Sequence, residues 1–323
     1  MLTDRANRPI PAKDFLEKSY NTYMFTKVIH SPGLHASSLV AQPSRVRGLP
    51  VSMALCLSRH GARQDYECQG RGENWQHSAE AQPRPWDPPL SAAGVTMGAA
   101  MGAACRRHLE RIGQPPVTRI VSSPFTRCLQ TAAAAALELG VLAIAVEPGL
   151  GEGMLEDWYR SWAVPGADST WGGPSHARVG MPLPAGTLLH ESAHVPAHQL
   201  LYGAPEAAAA LLASGVSNVS VDATYEPLTP PPDYQWASFE DEDALAARMH
   251  STMNALACKF RGESVLAVSH GGPCAHAHER LLQVTRHSGP VAGYTALYVF
   301  VREHEHAPWE APVVADTSHL SLG

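Results

Sequence analysis

The sequence predicts an α/β protein: a three-layer α/β/α sandwich with a mostly parallel central sheet and helices on both faces. Two observations point there. Short apolar runs of strand length recur along the chain, separated by segments of helical spacing or composition. Several of these runs end in polar turns, as buried parallel strands do when they deliver side chains at their C-terminal ends.

Residues 1–50 mix charged, aromatic and turn-forming residues without sustained periodicity and end in Pro43, Gly48 and Pro50, which reads as an N-terminal extension. The run Val51 to Ser58 (VSMALCLS) is the first expected strand. Trp86 to Leu90 (WDPPL) is a turn, and Ser91 is placed to cap a helix reaching about Leu109. Arg119 to Ser122 reads as the second strand. Pro124 is expected in the first turn of an Ala-rich helix that runs to Leu139, with Gly140 as its stop. A third strand covers about Leu142 to Val146. The stretch 153–217 is rich in Gly, Pro, Ser and His and reads as an insertion, with one helical segment near Glu206 to Ala213. Leu245, Met249, Met253, Leu256 and Phe260 recur at three- and four-residue spacing, marking an amphipathic helix over Phe239 to Phe260 with a core-facing stripe. Ser264 to Val268 (SVLAV) is another buried strand, and Tyr294 to Val301 (YTALYVFV) the last. The expected organisation is an extension over 1–50, one domain over 51–302 with its insertion, and a tail over 303–323.

Composition narrows the function. The 323 residues carry 24 Lys+Arg against 30 Asp+Glu, a net charge of −6, which argues against nucleic acid as the main partner. No stretch approaches the ~20 apolar residues of a membrane helix, so no membrane partner is expected. Six scattered cysteines in a chain of this size suggest a reducing interior, and with no secretory h-region after Met1 the expected location is cytoplasmic. Only Lys13, Lys18, Lys27 and Lys259 are lysines, while there are 17 histidines. Arginine and histidine are the residues of anion grip and proton transfer, although codon composition produces the same bias.

Position is more informative than composition. The first strand ends in Arg59-His60-Gly61-Ala62-Arg63, the second in Ser122-Ser123-Pro124 with Arg127 one turn into the helix, and a later one at His270. The C-terminal strand ends of an open α/β sheet share one crevice, so these segments can converge. Two imidazoles beside three guanidiniums make an anion site. Guanidinium forks neutralise the charge spread over a phosphoryl group in transfer, neutral imidazole can attack phosphorus, and Gly61 is expected to let the backbone approach the substrate.

These residues carry a resemblance. The Arg-His-Gly block at Arg59 to Gly61, the Ser-Ser-Pro-x-x-Arg-x-x-Gln-Thr-Ala block at Ser122 to Ala132 and the block Ser269 to Gly271 resemble the histidine phosphatase (phosphoglycerate-mutase-like) superfamily. Arg59 to Asp65, Asp87 to Leu90, Val146 to Glu152 and Ser220 to Tyr225 look like one branch: the phosphatase domain of the ubiquitin-associated and SH3-domain-containing suppressors of T-cell receptor signalling, with the insect ecdysteroid-phosphate phosphatases. The resemblance covers about Val51 to Arg302. It implies a two-step phosphomonoesterase without metal or other cofactor. His60 would be the nucleophile, Arg59, Arg63, Arg127 and His270 the phosphate pocket, and Glu152 the acid and base, with Glu147, Glu156 and Asp157 as neighbouring candidates. Implied partners are a phosphorylated small molecule or a phosphoprotein, and a homodimer is compatible with the family. The first 50 residues are too few for ubiquitin-associated and SH3 modules. Ser269 to Pro273 look more like the small-molecule members, and the stretch Gly153 to Ser217 is longer than the family's lid.

Rival readings are weaker. His190-Glu191-Ser192-Ala193-His194 spells H-E-x-x-H, but Pro196 follows it and Pro182, Pro184 and Gly186 precede it, which is no setting for the helix a zinc protease needs. His304-Glu305-His306 reads as solvated. Cys56 lies inside a strand with Arg63 one residue late for a cysteine phosphatase loop, and no Gly-x-x-x-x-Gly-Lys loop exists. A phosphoglycerate-type mutase is disfavoured because Gly151-Glu152-Gly153-Met154 does not look like the mutase's Leu-x-Glu-Arg block. A catalytically weak or idle scaffold is disfavoured because both histidines and every pocket cation are retained.

Overall fold

The computed structural model describes residues 53–75, 78–81, 87–153, 207–208, 211, 218–229, 240–285, 289 and 292–321. The N-terminal extension, most of the insertion and the H-E-x-x-H stretch lie outside the described residues. Strands β1 (Met53–Arg59), β2 (Val117–Ser122), β3 (Ala143–Val146), β4 (Ser220–Val221), β5 (Ser264–Ser269), β6 (Leu297–Arg302) and β7 (Glu310–Asp316) form one sheet in the order β4-β3-β2-β5-β1-β6-β7. The first five strands pair in parallel, while β6 runs antiparallel to β1 and β7 antiparallel to β6. This is the mostly parallel α/β sandwich expected from the sequence.

Strand alternation sorts the core into two layers. Ala54 and Cys56 of β1 point to the face covered by α2 (Ala92–Arg111) and α3 (Thr126–Leu139); Met53, Leu55 and Leu57 point to the face covered by α4 (Glu242–Lys259) and α5 (Gly271–Leu282). Every residue of β1 and β5 is buried, as strands sandwiched on both faces must be. Ser91 caps α2 by accepting from Gly94 N–H at 3.1 Å, and Gly140 ends α3 at φ 72°, both as the sequence predicts. The stripe from Leu245 to Phe260 is buried against the sheet. Of the helical segment expected near Glu206, residues 207, 208 and 211 are described and helical, and Ala207 and Leu211 join the first layer of the core.

Several elements differ from the sequence reading. Pro124 sits before α3, with Phe125 as the N-cap, so it shapes the entry to the helix and is not part of its first turn. Helix α1 (Gln64–Gly70) follows the loop after the first strand, too short to show a hydrophobic period. Tyr294 and Thr295 form a turn, and β6 begins only at Leu297. Regular structure continues beyond Arg302: the exposed turn of His304 to His306 leads into β7, whose Val313 is buried, and then into a 3-10 turn at Ser318–Ser321. Among the described residues, no helix is long and apolar enough to cross a membrane, and all six cysteines are free thiols.

Candidate active site

The backbone ladder continues past the strand tips and aligns them. His60 N–H donates to Ser269 O, Ser123 N–H to Val268 O and Glu147 N–H to Ser122 O, each at 2.9 Å. The residues that follow β1, β5, β2 and β3 therefore share one crevice, with β5 inserted between β1 and β2.

His60 is buried beside this crevice. Its Nδ1 lies 2.8 Å from Gly61 O, and since a carbonyl only accepts, Nδ1 carries the proton and Nε2 the lone pair. Burial, then the positive charges of Arg127 and Arg59, hold its pKa well below the ordinary imidazole value, with the Gly61 bond partly offsetting them. The loop is anchored from α3: Gly61 N–H donates to Thr131 Oγ1 at 2.9 Å, and that hydroxyl donates to Arg127 O at 2.8 Å. Gly61 is required for a reason other than the one read from sequence. A Cβ here would stand 2.3 Å from Gly94 O at the start of α2, so the missing side chain makes room for a helix of the protein itself.

Arg127 is fully enclosed. One Nη stands 3.5 Å from Asp87; the other donates to His270 Nδ1 at 3.1 Å and lies 3.6 Å from Glu152, and the guanidinium rests 4.5 Å from the Phe125 ring centre. Asp87 also accepts the backbone N–H and hydroxyl of Thr126 at 2.9 and 2.8 Å, fixing the first turn of α3 and its arginine together. Because His270 Nδ1 accepts from Arg127, its Nε2–H points to Ser123 Oγ, 2.8 Å away. Burial and then Arg127 hold this imidazole neutral as well. Cys128 lies 3.4 Å from His270 Nε2, but burial pushes its thiol pKa upward and it donates to Ser269 O.

The other two arginines are less free. Arg59 donates one Nη to Ala292 O at 2.9 Å and stacks 4.3 Å from the Tyr294 ring centre, whose ring lies 5.9 Å from that of His60. Arg63 closes its fork on Asp65 at 3.0 and 2.5 Å and stacks on Tyr66, near enough to act electrostatically on both histidines.

Glu152 lies at the end of the loop after β3, its carboxylate 3.3 Å from His270 Nδ1. Burial raises its pKa, and the nearby Arg127 only partly offsets that. Glu147 is excluded from this chemistry by its own bonds: its oxygens accept from Gly149, Leu228 and Thr229 N–H and from Tyr225 OH at 2.7 to 3.1 Å. Glu156 and Asp157 lie outside the described residues. Sequence reasoning missed the supporting roles: Ser123 as the partner of the His270 ring, Thr131 beneath Gly61 and Asp87 beside Arg127 were noted only within motifs, and Tyr294, which stacks on Arg59, only as the start of a strand. Their roles depend on contacts across the fold and leave no local spacing to read. Among the described residues no cluster of His, Cys, Asp and Glu has a metal-binding arrangement.

None of the curated proteins matches this sequence. Among solved structures, the ecdysone phosphate phosphatase from Bombix mori in complex with tungstate aligns with a TM-score of 0.50 at 18% identity, covering 80% of this chain and 91% of that one. A protein described as mycobacterial hydrolase 1 aligns at 0.48 and 18% identity (81% and 98% covered), and a mycobacterial glucosyl-3-phosphoglycerate phosphatase at 0.45 and 20% (82% and 99% covered). The model of the histidine phosphatase superfamily (branch 1) matches residues 55–167 and 218–315, well over half of the chain and all of the site just described, so the chain belongs to the histidine phosphatase superfamily.

Proposed function

We propose that the protein is a phosphomonoesterase acting through a phosphohistidine on His60, with phosphotyrosine-like or small-molecule phosphate esters as substrates. One observation carries the reading: an imidazole whose Nδ1–H is held by Gly61 O stands beside a second imidazole, a fully enclosed guanidinium and a buried carboxyl whose pKa is raised by that burial. In the first step His60 Nε2 attacks phosphorus, the ester P–O bond breaks, and Glu152 gives its proton to the leaving oxygen. In the second, water attacks the phosphohistidine, Glu152 takes the water proton, and the P–N bond breaks to restore His60 and release phosphate. Arg127, Arg59 and His270 stabilise the equatorial oxygens, and Arg63, buried on Asp65, adds positive potential from a distance. This scheme needs no metal.

The opposite pKa shifts suit the first step. It requires His60 without its proton and Glu152 with one, yet ordinary values of about 6.5 and 4.3 make that combination scarce at any pH. Burial moves the two toward each other and enlarges the competent population. The resemblance to the suppressor and ecdysteroid-phosphate branch supports aryl and small-molecule esters over phosphoglycerate mutation. The test is hydrolysis of para-nitrophenyl phosphate and phosphotyrosine, with EDTA present, by wild type and His60→Ala. Turnover by wild type that is lost in the variant supports the reading. Turnover surviving in His60→Ala removes the nucleophile, and absence of wild-type turnover across a broad pH range favours a scaffold.

A further inference from the structure

The acid loop is held by a residue that belongs to none of the motifs. Arg248 on α4 has a buried side chain. Its Nε and one Nη close a fork on Glu240 at 2.7 and 2.8 Å. The other Nη donates to Gly149 O at 2.6 Å and Gly151 O at 3.1 Å, and the fork Nη also reaches Glu152 O at 3.3 Å. One planar group thus gathers three carbonyls of the segment that presents Glu152. The upstream end of that segment is fixed separately by Glu147. Helix α4 also forms its wall: a Cβ on Gly149 would stand 2.3 Å from Thr252 Oγ1, and one on Gly153 would stand 2.7 Å from Leu245.

We infer that Arg248 is a positioning residue for the general acid, acting through the backbone of residues 149–152 to hold the Glu152 carboxyl at the leaving oxygen. The inference rests on the assignment of Glu152 as the acid. A lysine cannot replace it, because an ammonium lacks the rigid planar fork needed to hold a carboxylate and three carbonyls together. Displacing an acid by a fraction of an ångström impairs proton transfer and leaves phosphate binding intact. The loss then depends on how strongly the leaving oxygen needs a proton. A nitrophenolate departs without help; an alkoxide does not.

The experiment measures kcat/KM, which reports the first chemical step, for a series of monoesters from para-nitrophenyl phosphate through phenyl phosphate to glycerol phosphate. The enzymes are wild type, Arg248→Ala, Arg248→Lys, Glu152→Gln and the double variant Arg248→Ala/Glu152→Gln. The expected result is that both Arg248 variants lose about 10- to 100-fold more on the alkyl ester than on the nitrophenyl ester. Glu152→Gln should show the same trend more steeply, and the double variant should be no worse than Glu152→Gln alone. An equal loss across the series, or losses that multiply in the double variant, overturns the inference and makes Arg248 a purely structural residue. A flat series for Glu152→Gln overturns the acid assignment itself, and the Arg248 proposal with it. If Arg248→Ala does not fold, Arg248→Lys and Glu240→Gln give the same readout.

Discussion

The two halves of the crevice are built differently. The half proposed to hold phosphate, Arg59, His60, Arg127 and His270, hangs directly from strand tips and the first turn of α3, and its groups brace one another: Arg127 on His270, His270 on Ser123, Thr131 on Gly61. The half proposed to supply the acid is a single carboxyl, that of Glu152, on a loop held from outside by Arg248 and Glu147. Charge stabilisation needs several donors fixed relative to each other, which strand ends provide without adjustment. Proton transfer needs one group at one distance, which a loop can provide only if something clamps it.

The largest disruption should come where the halves meet. Arg127 touches Asp87, His270 and Glu152, so Arg127→Ala should lower kcat/KM by about 10²–10³-fold for every leaving group alike. It should also destabilise the fold by about 3–5 kcal/mol, because the fully buried guanidinium that packs on Asp87, His270 and Phe125 is removed; urea denaturation measures this. A loss graded by leaving group would show that Arg127 acts mainly through the acid. Glu152→Gln should cost about 10²-fold on glycerol phosphate and little on para-nitrophenyl phosphate, sharpening the separation. Ser123→Ala should cost less, since it removes one bond to the His270 ring and leaves the Arg127 contact in place; kcat should fall a few-fold, with the inhibition constant of inorganic phosphate rising in parallel. The smallest effect is on the pH profile. Activity should persist below the ordinary imidazole range, because His60 stays neutral there, and its alkaline limb should reflect the raised pKa of Glu152. Glu152→Gln should abolish that alkaline limb and leave the acid limb unchanged. Stability follows the same sign. His60 and His270 resist protonation in the folded state, so below about pH 6.5 the unfolded chain binds more protons and stability falls as pH drops.

The same contrast explains what the sequence revealed. Strand alternation and helix caps are local patterns, and Ser91, Gly140 and the Leu245 to Phe260 stripe were all readable from them. The convergence of Arg59-His60 with Ser122-Ser123 and Arg127 was readable for the same reason, since these are contiguous blocks at strand ends. The clamps were not. Arg248 reaches its carbonyls across 96 to 99 positions and Ser123 meets His270 across 147, distances at which no spacing rule operates. β4 and β7 escaped detection because edge strands carry only a weak hydrophobic signal: β4 has two residues, and β7 alternates exposed Glu310 and Pro312 with partly covered neighbours.

The contact between the His60 loop and α2 also bears on how this chain can change over generations. Gly61 is pressed on Gly94 O, and Gly94 in turn on Ala62 O, where a Cβ would stand 2.1 Å away. The two glycines obstruct each other's replacement through main-chain atoms, which no side-chain adjustment elsewhere can move aside. A saturation library should therefore find both positions intolerant singly and in combination, with no compensating pair. The crossing acts as a fixed point around which the rest of this chain can vary.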